Sequence, residues 1–373
     1  MSEKLWQFSA LDSWFFRDGS PMNAGGGQQT SRSLFPPFMT TLQGAIRTVL
    51  AQGQGWDPET PAKWPRELGS PDDLGDLSLD GPYLQAGDDW LFPAPLHLAE
   101  TEVKDAGQRG RNADRVIAFI RPGEDKIECD LGWVRLPEMD LPGAKPLERW
   151  WICRSGLEDI LAGRQPQAEH MKAEGDLWSY EPRVGLERDL ATRTAKEGQL
   201  YSTAQIRPHN GELKLGVMVG GIEEAWHPQE PLLIPLGGEG RLARVEVVDP
   251  PELFPTPPNA FDGQGDMVRF MVILATPGWY ENLSDVVRKG PPGLPGNCVS
   301  ACIGKLQRVG GWDLQRRKPR PLEPILPAGS CWFMEASAKE AKTILEWHGK
   351  VSGHKAQYGF GKLLIGNWGG REK

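Results

Sequence analysis

Glycine and proline interrupt this chain more than any other feature: 45 glycines and 33 prolines take up 78 of its 373 positions, against a usual combined share of roughly 12%. Glycine raises the entropy cost of regular structure and proline removes a backbone donor. Long helices are therefore few, and short strands joined by loops must carry the fold. A hydrophobic content of 39% still provides for a packed core. Because single cores stop growing at roughly 250 residues, two domains are expected. The balance of 50 acidic and 42 basic side chains, net −8, argues against a surface coated in positive charge, so a polyanion has to meet local patches or backbone donors. Fifteen tryptophans against five tyrosines are a large aromatic load, most of it core, with a minority left for stacking or subunit contacts.

The first residues, MSEKLWQFSA, lack a basic region followed by an apolar stretch, and no window approaches 18 apolar residues. Neither a signal peptide nor a membrane span is expected, and the protein reads as cytoplasmic. The five cysteines (Cys129, Cys153, Cys298, Cys302, Cys331) form no CxxC pair. Buried thiols are expected rather than a disulfide frame or a zinc site.

Leu5 to Leu11 reads as a half-buried strand, followed by a polar, glycine-heavy loop from Arg17 to Ser33. From Thr40 the apolar period becomes helical. Thr40 and Gln43 fit a capping box, Leu42, Ile46, Val49 and Leu50 share a face, and Gly53 supplies the stop. Residues 56–90, rich in Pro, Gly and Asp, read as an irregular solvated insertion without chemistry. Residues 102–115, with Lys104, Arg109, Arg111 and Arg115, are either a plain exposed loop or a segment that a polyanion orders.

Toward the C-terminus the pattern predicts strand Val268 to Thr276, helix Trp279 to Val287, strands Asn297 to Ile303 and Ser330 to Glu335, helix Ala338 to His348 with a Ser337–Glu340 capping box, and strand Gly359 to Ile365. That order is βαββαβ, a split βαβ unit whose open sheet face commonly binds RNA when uncovered. The first strand and helix are able to begin a similar, heavily interrupted unit.

Chemistry-bearing residues are sparse. No GxxxxGK[ST], strand-to-helix GxGxxG, HExxH or GxSxG occurs, and the six histidines lack metal-ligand spacing. Between the middle strands of the βαββαβ stretch, Gly304 to Arg320 carries Lys305, Arg308, Arg316, Arg317, Lys318 and Arg320 against Asp313 alone, with Trp312 beside two glycines. This local reversal of charge suits RNA contact with base stacking, or docking on an acidic neighbour. Glycine clusters at Gly25 to Gly27, Gly220-Gly221, Gly237 to Gly240 and Gly359 to Gly361 either allow close backbone approach to phosphates or form ordinary tight turns. His354, Lys355 and Tyr358 beside the last cluster are the one group with the elements of a metal-independent ribonuclease, an imidazole base beside a cation.

Seven blocks in this order carry a resemblance: FFRDGSPM (15–22), SLFPPFMTTLQGAIR (33–47), FPAPLHL (92–98), EPRVGLERDLATRTAKEGQLYST (181–203), LGGEGRLARVE (236–246), GGWDL with PLEPILPAGSCWFME (310–335) and HKAQYGFGKLLIG (354–366). On them the chain resembles the RAMP superfamily, and within it the Cas-five-like third subunit of the type III-B CRISPR Cmr RNA-guided effector.

The resemblance implies an α+β chain of two ferredoxin-like (βαββαβ, RRM-like) domains with long loop insertions, divided as 1–205 and 206–373. It implies a non-catalytic subunit that captures the 5′ tag of the CRISPR RNA, touches the large polymerase-like subunit and a backbone subunit, meets target RNA only indirectly, and serves antiviral defence without cofactor or metal. The alternative within the superfamily is a metal-independent endoribonuclease that processes CRISPR repeat RNA. Carried onto this chain, the RNA-binding candidates are Arg17, Gly25, Gly26, Gly27, Ser33, Arg47, Arg183, Arg188, Gly238, Gly240, Arg241, Arg316, Arg317, His354, Gly359 and Gly361, with arginines positioning phosphates and glycine amides admitting close approach.

Overall fold

The expected shortage of long helices is met: among the described residues of the computed structural model, a single helix reaches 15 residues. The model describes residues 3–18, 29–60, 63–102, 115–129, 132–141, 143–189, 191–209, 211–313 and 318–368. The principal elements run β1 (Lys4–Ala10), β2 (Gln29–Arg32), α1 (Met39–Gly53), β3 (Ser78–Ala86), β4 (Leu98–Glu102), β5 (Arg115–Cys129), β6 (Gly132–Met139) and α2 (Arg154–Leu161). There follow β7 (Trp178–Arg188), β8 (Ala195–Pro208), β9 (Leu213–Gly220), β10 (Leu232–Pro235) and β11 (Leu242–Val248). The last stretch holds β12 (Met267–Leu274), α3 (Leu283–Lys289), β13 (Asn297–Cys302), β14 (Cys331–Ser337), α4 (Ala341–Leu345) and β15 (Leu363–Gly366). The chain is thus mixed α/β and rich in strands. Among the described residues no helix is long and apolar enough to cross a membrane.

Two compact units form, each from three chain segments: Met1–Asp88, Gly175–Pro251 and Arg308–Glu323 in the first, and Asp89–Glu174, Glu252–Gln307 and Pro324–Lys373 in the second. The expected division after residue 205 falls inside β8. Paired strands far apart in sequence, such as β1 with β11, close the first unit across the boundary that linear reading assigned.

In the first unit the sheet runs β3-β9-β1-β11-β10 with antiparallel neighbours throughout. Helix α1 packs on β3 and β10, burying Leu42, Ile46, Val49 and Leu50. That is the apolar face its 3.6-residue period specifies. Its start departs from the expectation: the N-cap is Phe38, without a side-chain cap, and the Gln43 side-chain amide donates to the Thr40 carbonyl at 3.2 Å, because the helix begins one residue before Thr40. The crossover from β9 to β11 carries the short turn Glu224–Trp226 and strand β10 in place of a second α-helix.

Residues 56–90 are not wholly irregular, since they contain β3. Its alternation is masked by Asp80, Gly81 and Pro82, which lie where the pairing with β9 shifts register between Gly216 and Met218. A bulge absorbs the residues that otherwise break strands.

The second unit realises the predicted βαββαβ order, with β15-β12-β14-β13 as the sheet path. Measured along the chain this is fourth, first, third, second, the same order that β11, β1, β9 and β3 have in the first unit. One sheet face packs Phe270, Val272, Trp332, Met334 and Ile365 with Val286 and Ile344 of the helices. The capping box of Ser337 and Glu340 forms as read. The helix after it is shorter than expected, ending at Leu345, and Asn282 rather than Trp279 sets the start of α3 through a bond from the Asp285 amide.

The opposite face of that sheet is covered rather than open. The His97 ring meets Phe333 edge-on at 6.2 Å, the Ser300 hydroxyl donates to the Arg135 carbonyl of β6 at 2.7 Å, and the Asn367 amide donates to Leu161 of α2 at 2.8 Å. Stacking of bases on this face, as in RRM-like readers, is blocked by the chain itself.

Candidate nucleic-acid interface

Four segments of the first unit meet beside β8. Residue Trp14 exchanges both backbone bonds with Ile206, at 2.9 and 2.8 Å, the Gly238 amide donates to the Phe15 carbonyl at 2.8 Å, and the Leu34 amide donates to Phe16 at 2.8 Å. Arg17 and Ser33 form a further bridge. The FFRDGSPM, EPRVGLER and LGGEGR blocks are thereby drawn to one place.

Side chains there converge on two carboxylates. Arg183 donates through Nε to Glu181 at 2.8 Å and through Nη2 to Asp12 at 3.1 Å. Arg207 reaches Asp12 through Nη2 at 2.9 Å and Glu181 through Nε. Arg241 donates through Nη1 to Asp12 at 3.3 Å and to the Ser13 hydroxyl at 3.4 Å, and Ser13 in turn donates to Gln205 at 2.8 Å.

Strand alternation explains the grouping. Glu181 and Arg183 are two apart on β7 and pair with Gln205 and Thr203 of β8, so all four share one face of the ribbon. The hydrogen bond from Arg207 holds the Asp12 carboxyl below its ordinary range, and does the same for Glu181; Arg207 itself is raised by those two partners. Three guanidiniums facing two carboxylates leave a local excess of one positive charge. Arginine forks recognise carboxylate and phosphate with the same paired donors.

Of the sequence candidates, Arg183, Gly238, Gly240 and Arg241 are thus brought together, with Arg17 and the buried Ser33 on the adjoining bridge. Arg188 is exposed further along β7. Arg47 is different: it is buried, donates to Gln43 at 3.1 Å and to the Ser70 carbonyl at 2.8 Å, and lies over the Trp64 ring at 5.4 Å. It ties helix α1 to a loop of its own unit and does not present a cation to solvent. Gly25, Gly26, Gly27, Arg316 and Arg317 lie outside the described residues. In the basic excursion, Arg320 pairs with Asp72 at 3.2 Å and bonds the Pro71 carbonyl at 2.6 Å, so part of that charge is answered within the first unit, while Lys305, Arg308 and Lys318 are exposed.

The glycines have packing reasons of their own. A Cβ on Gly237 would stand 2.4 Å from the Phe15 carbonyl oxygen, and Gly237 sits at φ +86°. His354, Gly359 and Gly361 belong to the second unit. The His354 Nε2 lies 3.1 Å from Glu281, and the Gly359 carbonyl accepts from Thr276 at 2.6 Å. Gly361, at φ +79°, brings its backbone so close to Ser352 that a Cβ would lie 2.0 Å from the Ser352 carbonyl oxygen. Gly361→Ala is therefore expected to destabilise the protein by at least about 2 kcal/mol, from left-handed strain and the clash together. A urea midpoint unchanged from the parent would show that the position tolerates a side chain.

Asp12, Ser13, Glu181, Gln205 and Arg207 escaped the sequence reading. The signal available was the two-residue spacing of Glu181 with Arg183 and of Gln205 with Arg207, which places polar groups on one face of paired strands. The outer face of the first sheet is a polar row rather than an aromatic platform: Gln7 donates to Gln85 at 2.6 Å, Lys214 donates to Gln7 at 3.3 Å, and Arg244 pairs with Glu246 at 2.9 Å. Among the described residues no group of three or more His, Cys, Asp or Glu is arranged to hold a metal. Cys153, Cys298, Cys302 and Cys331 are free thiols.

No curated protein matches the chain. Among solved structures, a chain of the type III-B Cmr-beta complex bound to cognate target RNA is 16% identical over 88% of this chain and 86% of that one, with a TM-score of 0.49. A chain of the Csm3-Csm4 subcomplex of the type III-A CRISPR-Cas interference complex is 13% identical over 90% and 97%, with a TM-score of 0.38. The family of CRISPR-associated proteins described as Cas_Cmr3 matches residues 6–368, nearly the whole length. The chain belongs to that Cas_Cmr3 family and is a subunit of a type III CRISPR effector.

Proposed function

We propose that this chain is the non-catalytic subunit of a type III-B Cmr effector that grips the 5′ tag of the CRISPR RNA and joins the large polymerase-like subunit to the backbone subunits. It works in the cytoplasm, and target RNA reaches it only through the guide. The observation that carries this reading is the convergence of Arg183, Arg207 and Arg241 on Asp12 and Glu181, in which Glu181, Arg183 and Arg241 come from blocks that carry the family resemblance. The strand order shared by the two units supports reading both as ferredoxin-like RAMP modules. With both faces of the second unit's sheet covered and the outer face of the first unit's sheet polar, contacts to RNA fall to ribbon and turn residues, where guanidiniums position phosphates without reading bases.

The experiment uses the assembled effector. Arg183→Ala should weaken retention of tag-bearing guide RNA by about 1 to 3 kcal/mol, the range for a charge-assisted hydrogen bond. Retention equal to the parent would remove Arg183 from the interface. A second reading, cleavage of repeat RNA, is favoured by one observation: Glu281 lies beside His354 and is able to orient the ring as a base. Purified protein incubated with repeat RNA in EDTA separates the two. Intact RNA is expected, whereas specific cleavage that disappears in His354→Ala would establish the enzyme.

A further inference from the structure

The two carboxylates of the arginine cluster are not equivalent. Glu181 receives the Nε groups of both Arg183 and Arg207, and it sits on β7 paired with Gln205 of β8. Asp12 receives the outer Nη groups: Arg207 at 2.9 Å, Arg183 at 3.1 Å and Arg241 at 3.3 Å. It comes from the bend just after β1, and its side chain is 49% exposed against 28% for Glu181. One carboxylate therefore fixes Arg183 and Arg207 from within the ribbon, and the other fills the solvent side of those two guanidiniums and of Arg241.

We propose that Asp12 occupies the seat of an RNA phosphate in the RNA-free protein, and that a phosphodiester of the bound strand displaces it. This rests on the reading that the cluster is part of the RNA interface. The exchange is chemically matched. A phosphodiester presents two non-bridging oxygens and one negative charge, as a carboxylate does, and the outer Nη donors serve either. When Asp12 swings away, Glu181 keeps Arg183 and Arg207 aimed through their Nε groups, so the receiving geometry persists. Without Asp12 the three guanidiniums and Glu181 carry a net +2, which one phosphodiester reduces to +1, the value Asp12 maintains in the free protein. Asp12 is thus a built-in competitor for the site. Isolated anions that make only one contact gain too little to expel it, whereas a strand held at neighbouring points does so.

The test is equilibrium binding of the full chain to a fluorescein-labelled single-stranded oligoribonucleotide of the repeat tag sequence, measured by anisotropy across a series of salt concentrations. Asp12→Asn, which keeps the shape and removes the charge, should tighten binding about three- to tenfold, as expected for loss of one nearby unit charge partly screened by water, and should steepen the dependence of log K on log salt. Glu181→Gln also removes a negative charge, but it releases the Nε groups that aim Arg183 and Arg207, and that loss should outweigh the charge effect and weaken binding about three- to tenfold; Arg207→Gln should weaken it at least about tenfold. Should Asp12→Asn compromise folding, Asp12→Glu retains the resident charge and should bind within about twofold of the parent.

If Asp12→Asn weakens binding in parallel with Glu181→Gln, or leaves it unchanged while Arg207→Gln weakens it, the displacement proposal is overturned and the RNA interface stands. Tightening by Asp12→Glu overturns it equally. If no variant, Arg207→Gln included, changes RNA binding, then the interface itself has been assigned to the wrong residues.

Discussion

Trp332→Ala is expected to destabilise the chain by about 3 to 5 kcal/mol, the range for removing a fully buried large aromatic side chain. Trp332 is 0% exposed, packs among Phe270, Met334 and Ile365 on the helix-covered face of the second sheet, and donates through Nε1 to the Val286 carbonyl at 2.9 Å. That carbonyl, near the C-terminal end of α3, also accepts from the Gly290 amide at 2.9 Å. The truncation therefore opens a cavity and removes one of the two hydrogen bonds to that carbonyl. Trp332→Phe keeps most of the volume and loses the donor, so a smaller cost of about 1 to 2 kcal/mol is expected. Urea denaturation of both variants checks the pair. A cost below about 1 kcal/mol for the alanine variant would mean that this face is not the packed core described.

The second large effect is acid sensitivity set by buried histidines. Burial lowers the His97 pKa to about 3, with Arg121 adding to the shift; its ring stacks on Phe119 at 5.3 Å and meets Phe333 edge-on. Burial also lowers His227 and His348, which the fold uses as hydrogen-bond partners: His227 Nδ1 accepts from Trp6 at 3.1 Å and His348 Nδ1 accepts from the Ile365 amide at 3.1 Å. Unfolded histidines protonate near pH 6.5, while folded His97 stays neutral to about 3. Between those values the unfolded state holds the extra proton, so stability falls as pH drops, by up to about 1.4 kcal/mol per pH unit for His97 alone.

The lowered carboxyls of Asp12 and Glu181 add a second acid dependence that begins lower on the pH scale. Their contributions are present above their unfolded pKa values of 3.8 and 4.5 and are lost as pH falls through the lower folded values. His97→Phe preserves the stacked ring and should flatten the stability slope between about pH 6 and 5 by up to about 1.4 kcal/mol per pH unit. An unchanged slope would show that His97 takes up its proton in the folded chain.

What the sequence revealed follows from where the determinants are local. The βαββαβ stretch was readable because its strands and helices carry regular periods, and the Ser337–Glu340 box is a four-residue signal that formed as read. Strand β3 was missed because its breakers, Gly81 and Pro82, are tolerated by a bulge that only the partner strand β9 reveals. The boundary at 205 failed for a related reason: β1 pairs with β11 across more than two hundred residues, which no local pattern records.

The interface shows the same division. Arg183 and Arg241 stood out within conspicuous blocks, whereas Arg207 and Asp12 lie in unremarkable surroundings and gain their roles only when Trp14 and Ile206 bring the segments together. Arg47 misled in the opposite direction. Its position on an amphipathic helix gave no sign that Ser70 and Trp64 would enclose it.

The most direct test of the interface is a cryo-EM map of the assembled effector containing this chain and its guide RNA. The account predicts tag phosphates within hydrogen-bond distance of Arg183, Arg207 and Arg241, with Asp12 turned away from them. A map in which the 5′ end of the guide follows another surface, while those three arginines remain closed on Asp12 and Glu181, would contradict it.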